Sequence, residues 1–124
     1  MKLRIKDNSI RIRVTKTEVD RFAQEKHIES NTDFGNTALK YGMIWDDHAD
    51  ELTASMNGQT ILIHVPESIA KEFVSTEKVG FQNSIRLSNG NSLFILFEKD
   101  FKCLDGNVLE DESDNYENPL AACK

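Results

Sequence analysis

Cysteine is scarce in this chain, and long apolar runs are missing altogether. The 124 residues include only Cys103 and Cys123, too few for the disulfide framework of a small secreted domain. No stretch approaches the roughly 18 consecutive apolar residues of a membrane span. The first residues alternate charged and aliphatic side chains, so they lack the apolar core of a signal peptide. We therefore expect a cytoplasmic protein with no membrane association.

The motifs of common enzyme classes are also missing. No serine lies in a Gly-x-Ser-x-Gly elbow, and no glycine-rich phosphate loop follows a predicted strand. His27, His48 and His64 lack metal-pair spacing, and His64 is out of phase with Ile63 and Val65, which predicts a solvent-facing side chain. The sequence thus favours a protein that is not an enzyme and needs no cofactor. Catalysis by carboxylates that meet only in the fold remains an alternative.

Charge is distributed unevenly along the chain, whose net charge is −6. Residues 1–26 contain eight Lys and Arg against four Asp and Glu. Residues 27–99 contain five against ten, and residues 100–124 contain two against seven. A basic N-terminal quarter can meet an anionic partner, whereas the acidic remainder repels a phosphate backbone. Net charge therefore disfavours nucleic acid as the partner.

The N-terminal segment predicts a β-hairpin with one apolar face. Aliphatic residues alternate with charged ones from Leu3 to Val14, on both sides of the polar turn at residues 7–9. The other face of this hairpin then carries five cations, namely Lys2, Arg4, Lys6, Arg11 and Arg13. Two interpretations stay open: a solvated sheet face, which is common at such positions, or a surface that binds an anion.

A succession of strand and helix occurs twice, with an offset of 51 residues. The corresponding pairs are Ile12 and Ile63, Val14 and Val65, Phe22 and Phe73, and Ile28 and Val79. Thr15 and Glu18 form a capping box that begins the first helix, and Pro66 begins the second. Each half therefore predicts the order strand, strand, helix, strand, strand.

Two polar segments interrupt the apolar pattern. Residues 30–33 (Ser-Asn-Thr-Asp) have the composition of a loop. Residues 46–51 contain four carboxylates and a histidine, and we interpret them as the connection between the two halves. A divalent-cation site is the alternative for this connection, although no established ligand spacing is present.

The fold class expected from these patterns is α+β. It is a mainly antiparallel β barrel or sheet, built from two ββαββ pseudo-repeats at residues 1–48 and 52–99, with two short helices. These pseudo-repeats form one domain over residues 1–99. An acidic and largely irregular tail follows at residues 100–124.

The tail offers carboxylates rather than an apolar pattern. Its interaction residues are predicted to be Glu110, Asp111, Glu112 and Asp114, which either engage a protein partner or fold back on the basic hairpin. The candidates for a metal site are Cys103, Asp105 and Cys123. Two thiolates without a Cys-x-x-Cys motif or a nearby histidine are a weak zinc set, so no metal is expected. A disulfide between Cys103 and Cys123 is a further alternative.

The second half contains Ile63-His64-Val65-Pro66, a short helix, and then Glu77-Lys78-Val79-Gly80-Phe81. This order resembles the swapped-hairpin barrels of the AbrB and MazE type, whose monomer is about one such unit. The resemblance implies a fused pseudo-dimer of that barrel and, as an alternative function, DNA binding through basic residues. Glu67 stands where that group has lysine, and Thr15 replaces the proline in the first half.

The whole chain is also similar to a small bacterial family without assigned function. The stretches that indicate this are KLRIKDNSIR at residues 2–11 and EKDFKCLD at residues 98–105, followed by the acidic tail. The resemblance implies no activity. Our leading hypothesis is a small non-enzymatic binding or adaptor module that acts through a protein partner. The alternatives are an AbrB-like DNA-binding regulator and a metal-binding or enzymatic protein that uses the Cys, Asp and Glu residues of the tail.

Overall fold

The computed structural model describes residues 1–101 and 114–116. These residues form eight strands and two helices, so the fold is α+β, as the sequence predicts. The elements in chain order are β1 (Lys2–Lys6), β2 (Ser9–Val14), α1 (Lys16–Glu25), β3 (His27–Asp33), β4 (Ala38–Asp46), β5 (Thr53–Asn57), β6 (Thr60–Pro66), α2 (Glu67–Ser75), β7 (Gly80–Arg86) and β8 (Ser92–Lys99).

The strands form two four-stranded mixed sheets and no closed barrel among the described residues. The first sheet has the order β1-β2-β8-β7 and the second the order β3-β4-β6-β5. Within each sheet the two outer pairs are antiparallel, whereas the central pairs, β2 with β8 and β4 with β6, are parallel. Each sheet therefore takes one hairpin from residues 1–46 and one from residues 53–99, and a parallel contact joins the two hairpins.

Helix α1 begins with the capping box that the sequence predicts. The hydroxyl of Thr15 accepts a hydrogen bond from the backbone N–H of Glu18 at 3.3 Å, and the Glu18 carboxylate accepts one from the N–H of Thr15 at 2.9 Å. The helix ends at Lys26, whose φ of 65° is left-handed and whose N–H bonds to the carbonyl of Phe22. Phe22 is buried, so the apolar stripe of the helix faces the core.

One apolar cluster connects both sheets and both helices. The inward residues of the central strands supply most of it, including Ile12, Ile63 and Phe97, which are all 0% exposed. Phe73 of α2 meets Phe97 of β8 edge to face, with ring centroids 4.8 Å apart. Each such buried side chain contributes about 1.5–3 kcal/mol to the hydrophobic free energy of folding. The core thus depends on residues from both halves of the chain.

The prediction of a loop at residues 30–33 is wrong. These residues belong to β3, which pairs with β4 from His27 opposite Ile44 to Asp33 opposite Ala38. Their polar composition indicates only that β3 is an edge strand with much of its surface in water, because an edge position tolerates residues that are rare in central strands. Pairing across the sheet outweighs the local preference for a loop.

The correspondence of Ile28 with Val79 is wrong as well. Ile28 is 1% exposed and pairs with Met43, whereas Val79 is 44% exposed and precedes β7. The residue of β7 that pairs with Phe97 is Phe81, two positions later. The connection between helix and strand is therefore longer in the second half, which a constant offset cannot detect.

Two glycines lie where neighbouring strands approach closely. A Cβ at Gly42 would overlap the carbonyl oxygen of Ile28 and come within 2.9 Å of the Cα of Glu29. A Cβ at Gly80 would overlap the carbonyl oxygen of Phe97. Backbone atoms cannot rotate away as a flexible side chain can, so these positions admit no side chain without movement of a strand.

We expect Gly42→Ala to lower the free energy of unfolding by about 2–3 kcal/mol, because β3 and β4 must separate to admit the methyl group. Urea denaturation followed by circular dichroism measures this loss. Gly58→Ala is the control, since a Cβ there has no atom within 4 Å and only the φ of 59° is unfavourable. That strain costs about 1 kcal/mol. A loss at position 58 as large as that at position 42 contradicts the steric explanation.

Candidate functional site

The outer face of the β1-β2-β8-β7 sheet carries most of the predicted binding residues, and we call it the basic face. Alternation along the four strands places six cationic side chains on it against one carboxylate, that of Glu98. The cations are the predicted Lys2, Arg4, Lys6, Arg11 and Arg13, together with Arg86 of β7. Sequence reasoning missed Arg86 because only the pairing of β7 with β8 brings it to this sheet.

Ion pairs within the fold hold three of the predicted cations. Glu98 Oε1 accepts hydrogen bonds from the Nε atoms of Arg11 at 2.6 Å and Arg13 at 2.8 Å. Lys2 Nζ lies 3.0 Å from the carboxylate of Asp100, which is itself buried. These ion pairs join largely buried carboxylates, with side-chain exposures of 15% for Glu98 and 7% for Asp100, to cations that stay partly exposed. Their main consequence is to fix the direction of the three side chains.

The other two predicted cations are arranged differently. Arg4 and Lys6 form no ion pair with any residue of the described ranges. Arg4 lies opposite Arg11 in the β1–β2 register, so two positive charges are neighbours. Such a juxtaposition is unfavourable until an anion lies between or above them.

A shallow groove of about 180 Å³ runs between these arginines. Arg4 and Arg11 line one side, and Phe94 and Leu96 of β8 supply an apolar surface. Phe94 remains 37% exposed although β8 is a central strand of the sheet. The groove therefore offers an apolar contact near Arg4, whose charge has no ion-pair partner in the part of the chain that the structure describes.

The described part of the tail lies against helix α1. Asp114 Oδ1 accepts a hydrogen bond from the hydroxyl of Thr17 at 3.0 Å, and its backbone carbonyl accepts one from the N–H of Lys16 at 3.1 Å. Hydrogen bonds from the side chain of Thr15 and from Thr17 lower the pKa of Asp114 below its usual value. The ring of Tyr116 packs on Phe101 with centroids 5.5 Å apart.

Most of the remaining predicted residues of the tail lie outside the described residues. These are Glu110, Asp111 and Glu112 of the acidic run and the metal candidates Cys103, Asp105 and Cys123. Within residues 1–101 and 114–116, no group of three or more His, Cys, Asp and Glu side chains is close enough to hold a metal ion.

A second polar cluster lies on the outer face of the β3-β4-β6-β5 sheet. Ser55 Oγ of β5 is 2.8 Å from His64 Nε2 of β6. His64 Nδ1 is 3.1 Å from Asp46 Oδ2, at the end of β4. The antiparallel register of β5 and the parallel register of β4 against β6 bring these three side chains to one face, on three adjacent strands.

Electrostatics determine where the proton lies in this cluster. Hydrogen bonds from the backbone N–H of His48, at 2.9 Å, and from the side chain of His64 lower the pKa of Asp46. An ionised Asp46 only accepts, so His64 Nδ1 carries a hydrogen, and in the neutral imidazole Nε2 then keeps its lone pair. Ser55 therefore donates its hydroxyl hydrogen to Nε2. This is the arrangement of a nucleophile with its general base.

The prediction that His64 faces solvent accounts for only part of its surroundings. The side chain points to the outer face, and 25% of it is exposed, but both ring nitrogens have partners. Ser55 and His64 are diagonal neighbours across a hairpin, and the strong Asn57-Gly58 turn contained that information. The contact of Asp46 with His64 could not be predicted from the sequence in this way, because β4 meets β6 only through the parallel pairing.

Neither helix of the described residues is long and apolar enough to cross a membrane. The sequence profile of a family of unknown function, DUF7009, matches residues 1–120. No curated protein and no solved structure matches the chain.

We expect Asp46→Asn to reduce the free energy of unfolding at neutral pH and to have no effect in strong acid. The pKa of Asp46 is lower in the folded protein, so its contribution is present above the unfolded value of 3.8 and is lost as the pH falls through the folded pKa. Urea denaturation at about pH 7 and about pH 2 measures the difference. Asp47→Asn is the charge-matched control. An equal loss in both variants, or a loss that persists in acid, contradicts this assignment.

Proposed function

The chain belongs to the DUF7009 family, whose function is unknown, and we propose that it is a binding module for an acidic segment of a protein partner. The observation that carries the proposal is the composition of the basic face, whose four strands present six cations against one carboxylate in a protein with a net charge of −6. The net charge of the protein is negative, so the positive charge of this face is a local feature that overall composition does not explain. It selects partners of complementary charge and accelerates their encounter.

The groove beside Arg4 supports a protein segment rather than a simple anion as the ligand. Phe94 and Leu96 of β8 present apolar surface beside Arg11, on the side away from Arg4, so an acidic segment with one apolar side chain can contact both the cations and the apolar surface. Buried apolar anchors supply most of the affinity in protein interfaces, and surrounding charges supply orientation and rate. A free phosphate or a regular duplex backbone has no group for the exposed ring of Phe94.

We extend the proposal to the origin of the fold and to the cellular location of the protein. The order β-β-α-β-β occurs in both halves, and each sheet joins the second strand of one half to the last strand of the other. Two copies of one unit in a fused, AbrB-like pseudo-dimer account for this arrangement. The partner is then expected in the cytoplasm of a bacterium. DNA binding by the same face is the alternative that the first experiment below distinguishes.

The double variant Arg4→Glu with Lys6→Glu is expected to weaken binding of an acidic peptide by about tenfold or more, since two favourable charges become repulsive. Fluorescence anisotropy with a short labelled peptide rich in glutamate and containing one phenylalanine measures the affinity. Lys40→Glu with Lys71→Glu is the matched control, because it changes net charge equally at positions away from the basic face.

Two outcomes overturn the proposal. One is an equal loss of affinity in both double variants, which assigns the effect to net charge. The other is tighter binding of a labelled DNA duplex than of the peptide, with an affinity that falls steeply as salt is added. That second result favours the DNA-binding alternative.

Glu98→Gln is expected to act in the opposite direction and to tighten binding of the same peptide by about threefold to tenfold. The substitution removes the one carboxylate of the strands of this face and releases Arg11 and Arg13 for the ligand. It is expected to cost roughly 1–3 kcal/mol of stability, because the Glu98 side chain is only 15% exposed and two arginines lose their shared ionised acceptor. Anisotropy and urea denaturation measure the two effects. Unchanged or weaker binding by the folded variant contradicts the role of the released arginines.

A further inference from the structure

The contact between Ser55, His64 and Asp46 has no part in the basic face, because the three side chains lie on the other sheet. A serine whose hydroxyl donates to a histidine, with the second ring nitrogen held by a carboxylate, is the grouping that makes serine nucleophilic. We propose that this cluster is an acyl-transfer site that hydrolyses small carboxylic esters. Ser55 is the nucleophile, His64 is the general base and Asp46 is a positioning residue.

The geometry meets the requirements of such a site. The distances of 2.8 Å from Ser55 Oγ to His64 Nε2 and 3.1 Å from His64 Nδ1 to Asp46 lie within the roughly 2.6–3.2 Å needed for proton transfer. Asp46 is itself fixed by the N–H of His48. All three side chains project from paired strands, which hold catalytic groups more rigidly than loops do.

The surroundings of Ser55 suit an ester carbonyl. β5 is an edge strand, closed onto β6 by a two-residue turn between Asn57 and Thr60. Hydrogen-bonded and non-hydrogen-bonded pairs alternate away from that turn, so the N–H of Met56, next to Ser55, is directed to the open edge of the sheet. A backbone N–H adjacent to the nucleophile is a suitable donor for a developing oxyanion.

The substrate class follows from the apolar residues of the same face. Leu62 lies opposite Ser55, and Ile44 lies beside His64 on β4. Both are half-buried and cover the sheet next to the cluster. They form a flat apolar floor rather than a deep pocket, which accommodates a short acyl chain and leaves the alcohol portion in water.

The reaction balances without a cofactor. The Ser55 oxygen attacks the ester carbonyl carbon, its proton passes to His64 Nε2, and the carbonyl electron pair moves onto oxygen. Collapse of this adduct restores the carbonyl and breaks the bond to the alcohol, which leaves with the proton from His64. Water then attacks the acyl group on Ser55 in the same way, releases the carboxylic acid and returns the proton to Ser55.

The test uses a fluorophosphonate probe, which labels activated serines, together with hydrolysis of p-nitrophenyl acetate. We expect mass spectrometry to locate the label on Ser55 and expect Ser55→Ala to abolish both labelling and ester hydrolysis above the uncatalysed rate. Ser84→Ala is the matched control, since Ser84 is an exposed serine in the edge strand β7 of the other sheet. Absence of label on Ser55 in the unmodified protein overturns the proposal.

His64→Gln and substitutions of Asp46 test the roles of the other two residues. His64→Gln is expected to slow labelling by about 100-fold, the usual contribution of a general base. Asp46→Asn is expected to slow it as well, and Asp46→Glu to restore part of the rate, which loss of folding alone cannot produce. Labelling of Ser55 that is unaffected by His64→Gln in a folded protein contradicts the proposal.

Discussion

The parallel pairing of β2 with β8 and of β4 with β6 is the contact on which the rest of the structure depends. Without it the chain consists of four separate two-stranded hairpins, and an isolated hairpin of this size is marginally stable at best in water. Each sheet is completed only when a hairpin from residues 1–46 meets one from residues 53–99. The apolar core is assembled from the same strands, so the two halves are expected to fold as one cooperative unit.

The central strands also determine what lies on the two outer faces. Their inward positions are almost entirely aliphatic or aromatic, so their outward positions are available for polar residues. On one sheet the outward positions of the central strands and of their edge neighbours hold the cations and Glu98, and on the other the outward positions of β4, β6 and the edge strand β5 hold Asp46, His64 and Ser55. Each sheet has an outer face whose residues do not contribute to the core. One small fold can therefore carry a binding surface on one sheet and a reactive cluster on the other, with no residue in common.

The two helix ends show how far the halves differ within one architecture. Beside the end of α1, Lys26 Nζ lies 3.6 Å from the ring centroid of Trp45, a cation–π contact. Beside the end of α2 the cation comes from the strand instead: Lys99 Nζ donates to the carbonyl of Thr76 at 2.7 Å. Burial lowers the pKa of Lys99 because its charged form loses hydration. At both ends the N–H of the capping residue bonds to the carbonyl four residues earlier, but the backbone is left-handed at Lys26 and extended at Thr76, and the neighbouring cation makes a different contact at each end.

The sequence by itself determined the hairpins, the two helices and the polarity of the strand faces. These features depend on period-two alternation, on Asn57-Gly58 and on the capping box of Thr15 and Glu18, all of which act over a few residues. Only the tertiary structure decided that Glu98 lies between Arg11 and Arg13, 87 and 85 residues away, and that Asp46 meets His64 across 18 residues. It likewise assigned residues 30–33 to a strand. Such contacts arise from pairing between strands that are distant in sequence, and pattern within a segment contains no information about which strand becomes its neighbour.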